Sequence, residues 1–232
     1  MHTLLITGAS QGIGLETARL CLAEGYRVIN LSRHAVPEAG VEHHNVDLST
    51  AGAEAHLREL LAAQLPAGKI SLVHNAARLD NDTADATPTA DFRDVMAINL
   101  IAPHMLNQIV IPLMEPGSSI IYIGSTLSEK AVANTYSYVV SKHALIGMMR
   151  ATCQDLAGRQ IHTTCICPGF TDTEMLRTHV GDDQAALAHI SSLSTFGRLV
   201  KPIEIARTIK FAAENPVLNG AVIHANLGQV ET

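Results

Sequence analysis

Cysteine is scarce in this chain, with four among 232 residues. Cys21, Cys153, Cys165 and Cys167 lack the spacing of a disulfide framework, so they read as buried thiols in a reducing compartment. Cys165 and Cys167 flank one residue of an apolar run, and a buried strand explains that pair better than a metal site does. Positive charge is also in deficit: 16 Lys and Arg stand against 22 Asp and Glu, and the net charge of −6 comes without a basic cluster. That balance argues against a nucleic-acid surface and gives no attraction to anionic lipid. No uninterrupted apolar run reaches membrane-spanning length, so no membrane partner is expected. The first strand pattern begins at Thr3, leaving no basic region or cleavage site of a signal peptide, and a cytoplasmic location is expected. The 12 histidines show no ligand spacing, so no metal is expected.

Apolar residues, in contrast, are plentiful. At 47% hydrophobic, the chain can bury one sizeable core, and residues 1–232 are expected to form a single domain. Strand-like runs occur at Thr3–Thr7, Arg27–Leu31, Ile70–His74, Ser119–Ile123, His162–Ile166 and Ala221–His224. Amphipathic stretches alternate with them at Gly14–Glu24, Ala53–Leu65, Phe92–Met114, Tyr138–Ala157 and Ile203–Glu214. Such alternation predicts an α/β fold, a Rossmann-type doubly wound parallel sheet with helices on both faces. Ligands of these sheets bind beyond the carboxyl ends of the strands. Polar or glycine-containing groups follow the strands there: Gly8, Ser32-Arg33, Asp47, Asn75, Ser125 and Pro168-Gly169. Residues 171–198, rich in Thr, Ser, Asp and Gly around an apolar fragment Ala185–Leu193, read as a substrate lid.

Two motifs carry chemistry. Thr7-Gly8-Ala9-Ser10-Gln11-Gly12-Ile13-Gly14 passes from the first strand into the first helix. Glycines there permit a tight turn and close approach of a pyrophosphate, and the helix N-terminus offers free N–H groups to it. A helix entry with glycines for packing alone is the competing explanation. Tyr138 and Lys142 stand four apart and share one helix face, whereas Tyr136 points away from Lys142. A phenol with an ordinary pKa near 10 gains acidity beside an ammonium, so this pair can move a proton.

In sum these residues resemble the classical short-chain dehydrogenases/reductases. Thr7-Gly8-x3-Gly12-x-Gly14 matches that family's cofactor turn, Asn75-Ala76 its post-strand asparagine and Asn99 its helix asparagine. Ser125, Tyr138-x3-Lys142, and Pro168-Gly169 with Thr171 and Thr173 follow in family order, so the likeness runs from Thr3 to about Gly228. It implies hydride transfer between a nicotinamide cofactor and a carbonyl or alcohol carbon. Tyr138 would donate or accept the proton, Lys142 would favour its ionised form and Ser125 would hydrogen-bond the substrate oxygen. Asn99 would hold a water linking Lys142 to solvent, or it is a buried amide repairing a helix distortion. The cofactor would lie along Gly8, Ser10, Gln11, Gly12, Ile13, Gly14, Ser32, Arg33, Asp47, Leu48, Asn75 and Ala76, reaching Tyr138, Lys142, Pro168, Gly169, Thr171 and Thr173.

Cofactor choice turns on the second strand's end. A carboxylate there would repel a 2′-phosphate; here Ser32 and Arg33 stand instead, which favours NADP(H) over NAD(H), with a solvated Arg33 as the alternative. The usual Asn-Asn-Ala-Gly reads His74-Asn75-Ala76-Ala77, and His224-Ala225-Asn226-Leu227-Gly228 lacks the familiar Asp-Gly-Gly. The lid residues Phe170, Met175, Leu176, Leu187, Ile190 and Leu193 line an apolar pocket or form a core-facing stripe, and no cationic substrate clamp is evident. The expected partner is a small neutral ketone, aldehyde or secondary alcohol, and the family implies a homodimer or homotetramer. An NAD-dependent alcohol dehydrogenase and a non-catalytic dinucleotide sensor remain the other readings.

Overall fold

Side-chain alternation along each strand builds two cores, one on either face of a sheet. The computed structural model describes residues 2–181 and 183–230; Met1, Asp182, Glu231 and Thr232, part of the expected domain and in one case of the expected lid, lie outside the described residues. The strands are β1 (Thr3–Thr7), β2 (Arg27–Ser32), β3 (Glu42–Asn45), β4 (Ile70–His74), β5 (Ser119–Ile123), β6 (His162–Pro168) and β7 (Ala221–Ala225). They pair in the order β3-β2-β1-β4-β5-β6-β7, every neighbouring pair parallel. The order reverses between β1 and β4, which opens a crevice at their carboxyl ends.

Leu5, Leu31, Leu72, Ile120 and Tyr122 point to one face, where α2 (Ala53–Gln64), α4 (Ala102–Val110) and α5 (Tyr136–Asp155) supply Leu57, Leu61, Leu106 and Met149. Leu4, Ile6, Val28, Val73 and Ile121 point to the other, against Ala18 of α1 (Gly12–Ala23) and Ile205 and Ile209 of α8 (Pro202–Glu214). Each fully buried Leu or Ile contributes about 1.5–3 kcal/mol, and this two-sided burial holds the strand ends that carry the site.

Three elements differ from expectation. Glu42-His43-His44-Asn45 forms the edge strand β3, which carries no apolar run because it is covered only partly. The helix expected over Phe92–Met114 is α3 (Thr89–Met96), a π turn at Ala97–Ile101, α4 and a 3-10 turn at Ile111–Leu113. By length and composition Thr89–Leu113 could cross a membrane, a correction to the expectation from uninterrupted runs; half of its apolar window is buried inside the protein, as in a core helix. The lid segment holds two helices, α6 (Glu174–Val180) and α7 (Gln184–Ser192), where one was expected.

Candidate active site

Gly8 and Gly12 adopt left-handed backbone with φ of +71° and +56°, which a side chain would strain. The turn is clamped to the end of β4. Asn75 donates from its amide to the carbonyls of Thr7 (3.0 Å) and Gly8 (2.9 Å), and the Thr7 hydroxyl accepts the N–H groups of Asn75 and Ala76, both at 3.0 Å. A Cβ on Gly14 would overlap the Gly8 carbonyl and the Asn75 amide. Gly14 therefore supports the turn from behind. One added at Gly12 would press on Thr173 at 3.2 Å, so the lid's first residues close over the turn.

At the carboxyl end of β5, Ser125 caps the turn Thr126–Ser128: its Oγ accepts the Leu127 N–H (3.1 Å), and its own N–H donates to Ser128 Oγ (3.0 Å). Tyr138 and Lys142 come from the buried face of α5 and are 8% and 3% exposed, against 40% for Tyr136. Ser125 and Tyr138 line the same cavity, and Lys142 Nζ lies 5.3 Å from the Tyr138 ring centroid and donates to the Ile123 carbonyl at 2.7 Å. The triad anticipated from spacing is thus assembled in one place.

Burial pushes Tyr138 up to about 12, opposed by the Ser125 hydroxyl nearby. Burial likewise pushes Lys142 down to about 8, opposed by the neighbouring Cys165 and Cys167. The sequence assigned an acidifying influence to Lys142, whose ammonium here lies beside the Tyr138 ring and is bonded to the Ile123 carbonyl. Cys165 and Cys167 sit side by side under Gly124 with their Sγ atoms 3.9 Å apart, free and buried as expected of a core strand.

A cavity of about 560 Å³ runs from the glycine turn to this triad. It is lined by Gly8, Ser10, Gln11, Gly12 and Ile13 at the turn, by Ser32, Arg33, Asp47 and Leu48 at the ends of β2 and β3, and by Asn75 and Ala76. Ser125, Tyr138, Lys142, Pro168, Gly169, Thr171 and Thr173 complete the wall. Asp47 accepts Ser49 N–H (3.0 Å) and hydroxyl (2.6 Å), bonds that hold its carboxyl below the usual range.

Two of the anticipated residues stand off the cavity. Gly14 lies behind the turn. Asn99 is buried in the π turn, where Oδ1 accepts the Arg78 N–H (2.8 Å) and Nδ2 donates to the Arg78 carbonyl (3.0 Å) and Ser141 Oγ (2.9 Å). Its amide therefore ties a distorted helix to the β4 loop and to α5 beside Lys142.

On the lid side Phe170, Met175 and Leu176 face the cavity, whereas Leu187 and Ile190 of α7 and the following Leu193 do not and are partly buried. Leu79, Ile98, Leu127, Val132, His34, Arg78, His179 and Gln229 also line it and were missed. Most are motif neighbours or loop residues without a periodic signal. Arg78 offers no free cation, since it pairs with Asp80 (2.9 Å) and Asp94 (3.1 Å). Among the described residues no three His, Cys, Asp or Glu side chains cluster as a metal site would require.

A sequence profile described as enoyl-(acyl carrier protein) reductase matches residues 8–229. Ipsdienol dehydrogenase of Ips pini is 31% identical, aligned over 94% of this chain and 92% of that protein. Among solved structures, the aldohexose dehydrogenase of Thermoplasma acidophilum superposes with a TM-score of 0.90 at 27% identity, covering 98% of this chain and 93% of that one. An angucycline C-6 ketoreductase with bound NADP gives 0.85 at 27% identity, covering 98% and 95%.

Proposed function

From a chain that belongs to the classical short-chain dehydrogenase/reductase family, a family of oxidoreductases acting on small molecules with nicotinamide dinucleotides, we propose an NADP(H)-dependent enzyme that interconverts a neutral ketone or aldehyde with its alcohol. The observation that carries this reading is that Ser125, Tyr138 and Lys142 share one cavity with the glycine turn and Arg33.

The residues present fit a dinucleotide. Gly8 and Gly12 form a cradle whose Cβ positions are closed by Ala76 and Thr173, and the amino end of α1 faces the same space. When bound, the nicotinamide would supply or accept the hydride. The chain's own residues handle the proton and the charge. Burial keeps Tyr138 a neutral phenol, a proton donor for carbonyl reduction, and the adjacent Ser125 hydroxyl stabilises charge growing on oxygen. Lys142 beside the ring favours the phenolate left behind.

Arg33 is exposed at the end of β2 with no carboxylate at position 32, an arrangement suited to a 2′-phosphate; the ketoreductase relative has NADP bound. The substrate-side wall is apolar at Leu79, Ile98, Leu127, Val132, Phe170 and Met175, and Arg78 there is paired with Asp80 and Asp94, which suits an uncharged substrate. The name of the Ips pini dehydrogenase points to an alcohol as its substrate, in keeping with that choice. The four free cysteines fit the cytoplasm.

The test is NADPH binding by nucleotide fluorescence, then turnover across a panel of small carbonyl compounds. Tyr138→Phe is expected to lower kcat by about a hundredfold or more while leaving NADPH affinity within about twofold. Full activity in that variant removes Tyr138 from the proton transfer.

A further inference from the structure

One amide buried in β2 joins the glycine turn to the Ser32–His34 segment at the end of β2. Asn30 is fully buried in a strand whose neighbours Val28, Ile29 and Leu31 are apolar. Its Oδ1 accepts the Ala9 N–H at 2.8 Å. Its Nδ2 donates to Ser32 Oγ at 2.7 Å and to His43 Nδ1 in β3 at 3.0 Å. Ser32 passes its own proton to the His34 carbonyl at 2.8 Å. Both amide protons and the carbonyl oxygen of Asn30 are therefore engaged.

The directions in this network follow from its ends. Ala9 can only donate, so Oδ1 must face the turn and both N–H bonds must face Ser32 and His43. His43 must then present a lone pair at Nδ1 and carry its proton on Nε2, a neutral ring that its partial burial favours. Ser32 donates its proton to the His34 carbonyl and offers a nucleotide only a lone pair, so donation to a phosphate there falls to neighbours such as Arg33. A hydrophobic residue at position 30 would fill the strand interior but strand the buried Ala9 N–H.

We infer that Asn30 is a positioning residue of the dinucleotide site, coupling the phosphate turn at Ala9 to the Ser32–His34 segment, with His43 orienting the amide. The inference rests on the dinucleotide reading given above.

The experiment measures NADPH affinity of the full chain by nucleotide fluorescence and steady-state kinetics with a carbonyl substrate the wild type turns over. Asn30→Ala is expected to raise Kd and KM for NADPH about tenfold, which is about 1.4 kcal/mol, while kcat at saturating NADPH stays within about twofold. His43→Ala is expected to raise Kd about threefold, and the double variant should match Asn30→Ala, because His43 acts only through the amide. An unchanged Kd in Asn30→Ala, a fall in kcat without a change in Kd, or single losses that add in the double variant would overturn the inference. Should Asn30→Ala fail to fold, His43→Ala at the sheet edge decides alone, and an unchanged Kd there rejects the coupling. A wild-type chain that binds neither NADPH nor NADH overturns the dinucleotide reading and this inference together; wild-type binding matched by Asn30→Ala overturns this inference only.

Discussion

Arg33 shows how much a single position decides. Its guanidinium is exposed at the end of β2 and belongs to the cavity wall, with Asp47 on the neighbouring strand end already satisfied by Ser49. A charge-assisted bond to a phosphate is worth about 1.5–3 kcal/mol, so Arg33→Ala is expected to weaken NADPH binding by about 10–100-fold and leave NADH within about twofold. Equal losses for both nucleotides, read from parallel fluorescence titrations, would mean that Arg33 is a solvated surface charge. The same scale separates two tyrosines. Tyr138 and Lys142 could be paired from spacing alone because positions four apart share a helix face, and the ring of Tyr136 indeed turns away to stack on Phe92 at 5.8 Å. What spacing could not supply was direction: that Lys142 donates to the Ile123 carbonyl depends on where β5 ends.

Among the elements, the π turn between α3 and α4 is the most consequential. A π turn inserts a residue into the helical ladder and re-aims the side chains around it. Here it places the Asn99 amide on both backbone groups of Arg78 and on Ser141, next to Lys142. Asn99→Ala is expected to lower unfolding stability by about 1–2 kcal/mol in urea titration, since it strands two partly buried backbone groups. A variant as stable as wild type, impaired only in kcat, would point to the water-holding role instead. Neither the π turn nor β3 could be read beforehand. The helix from Phe92 onward looks continuous in periodicity, because the distortion is set by tertiary partners. Glu42-His43-His44-Asn45 pairs through its backbone along an edge, and backbone pairing leaves no apolar pattern in the side chains.

For the molecule as a whole, two histidines set a pH dependence. Burial pushes His74 down to about 4, with its Asn107 hydrogen bond opposing, and burial together with Lys69 pushes His2 down to about 4. The unfolded chain, with histidine near 6.5, binds these protons first, so stability is complete above about pH 6.5 and is lost as pH falls toward about 4. His74 alone gives a slope of about 1.4 kcal/mol per pH unit inside that window. Urea midpoints at pH 7.5, 6.0 and 5.0 check it, and equal midpoints would refute it. Assembly is the second matter at this scale. Ile101 of the π turn and Tyr136 and Val140 of α5 leave apolar side chains 52%, 40% and 37% exposed. We propose a homodimer or homotetramer built on these helices, as the family implies; sedimentation showing a monomer at every concentration would exclude it.

The amino-acid order by itself determined the alternation that makes a parallel sheet, the glycine turn, and the helical spacing that unites Tyr138 with Lys142. These are local matters, governed by residue type and by periods of two and of three to four residues. Only the tertiary structure decided that Ser125 and Tyr138 line one cavity, that Asn99 serves the backbone of Arg78, that a polar edge strand brings His43 to Asn30, and that part of the lid faces the cavity. Those contacts join residues between 13 and 21 positions apart, or sit on loops, where hydrogen-bond direction and burial depend on how strands and helices pack and no periodic signal survives in the chain.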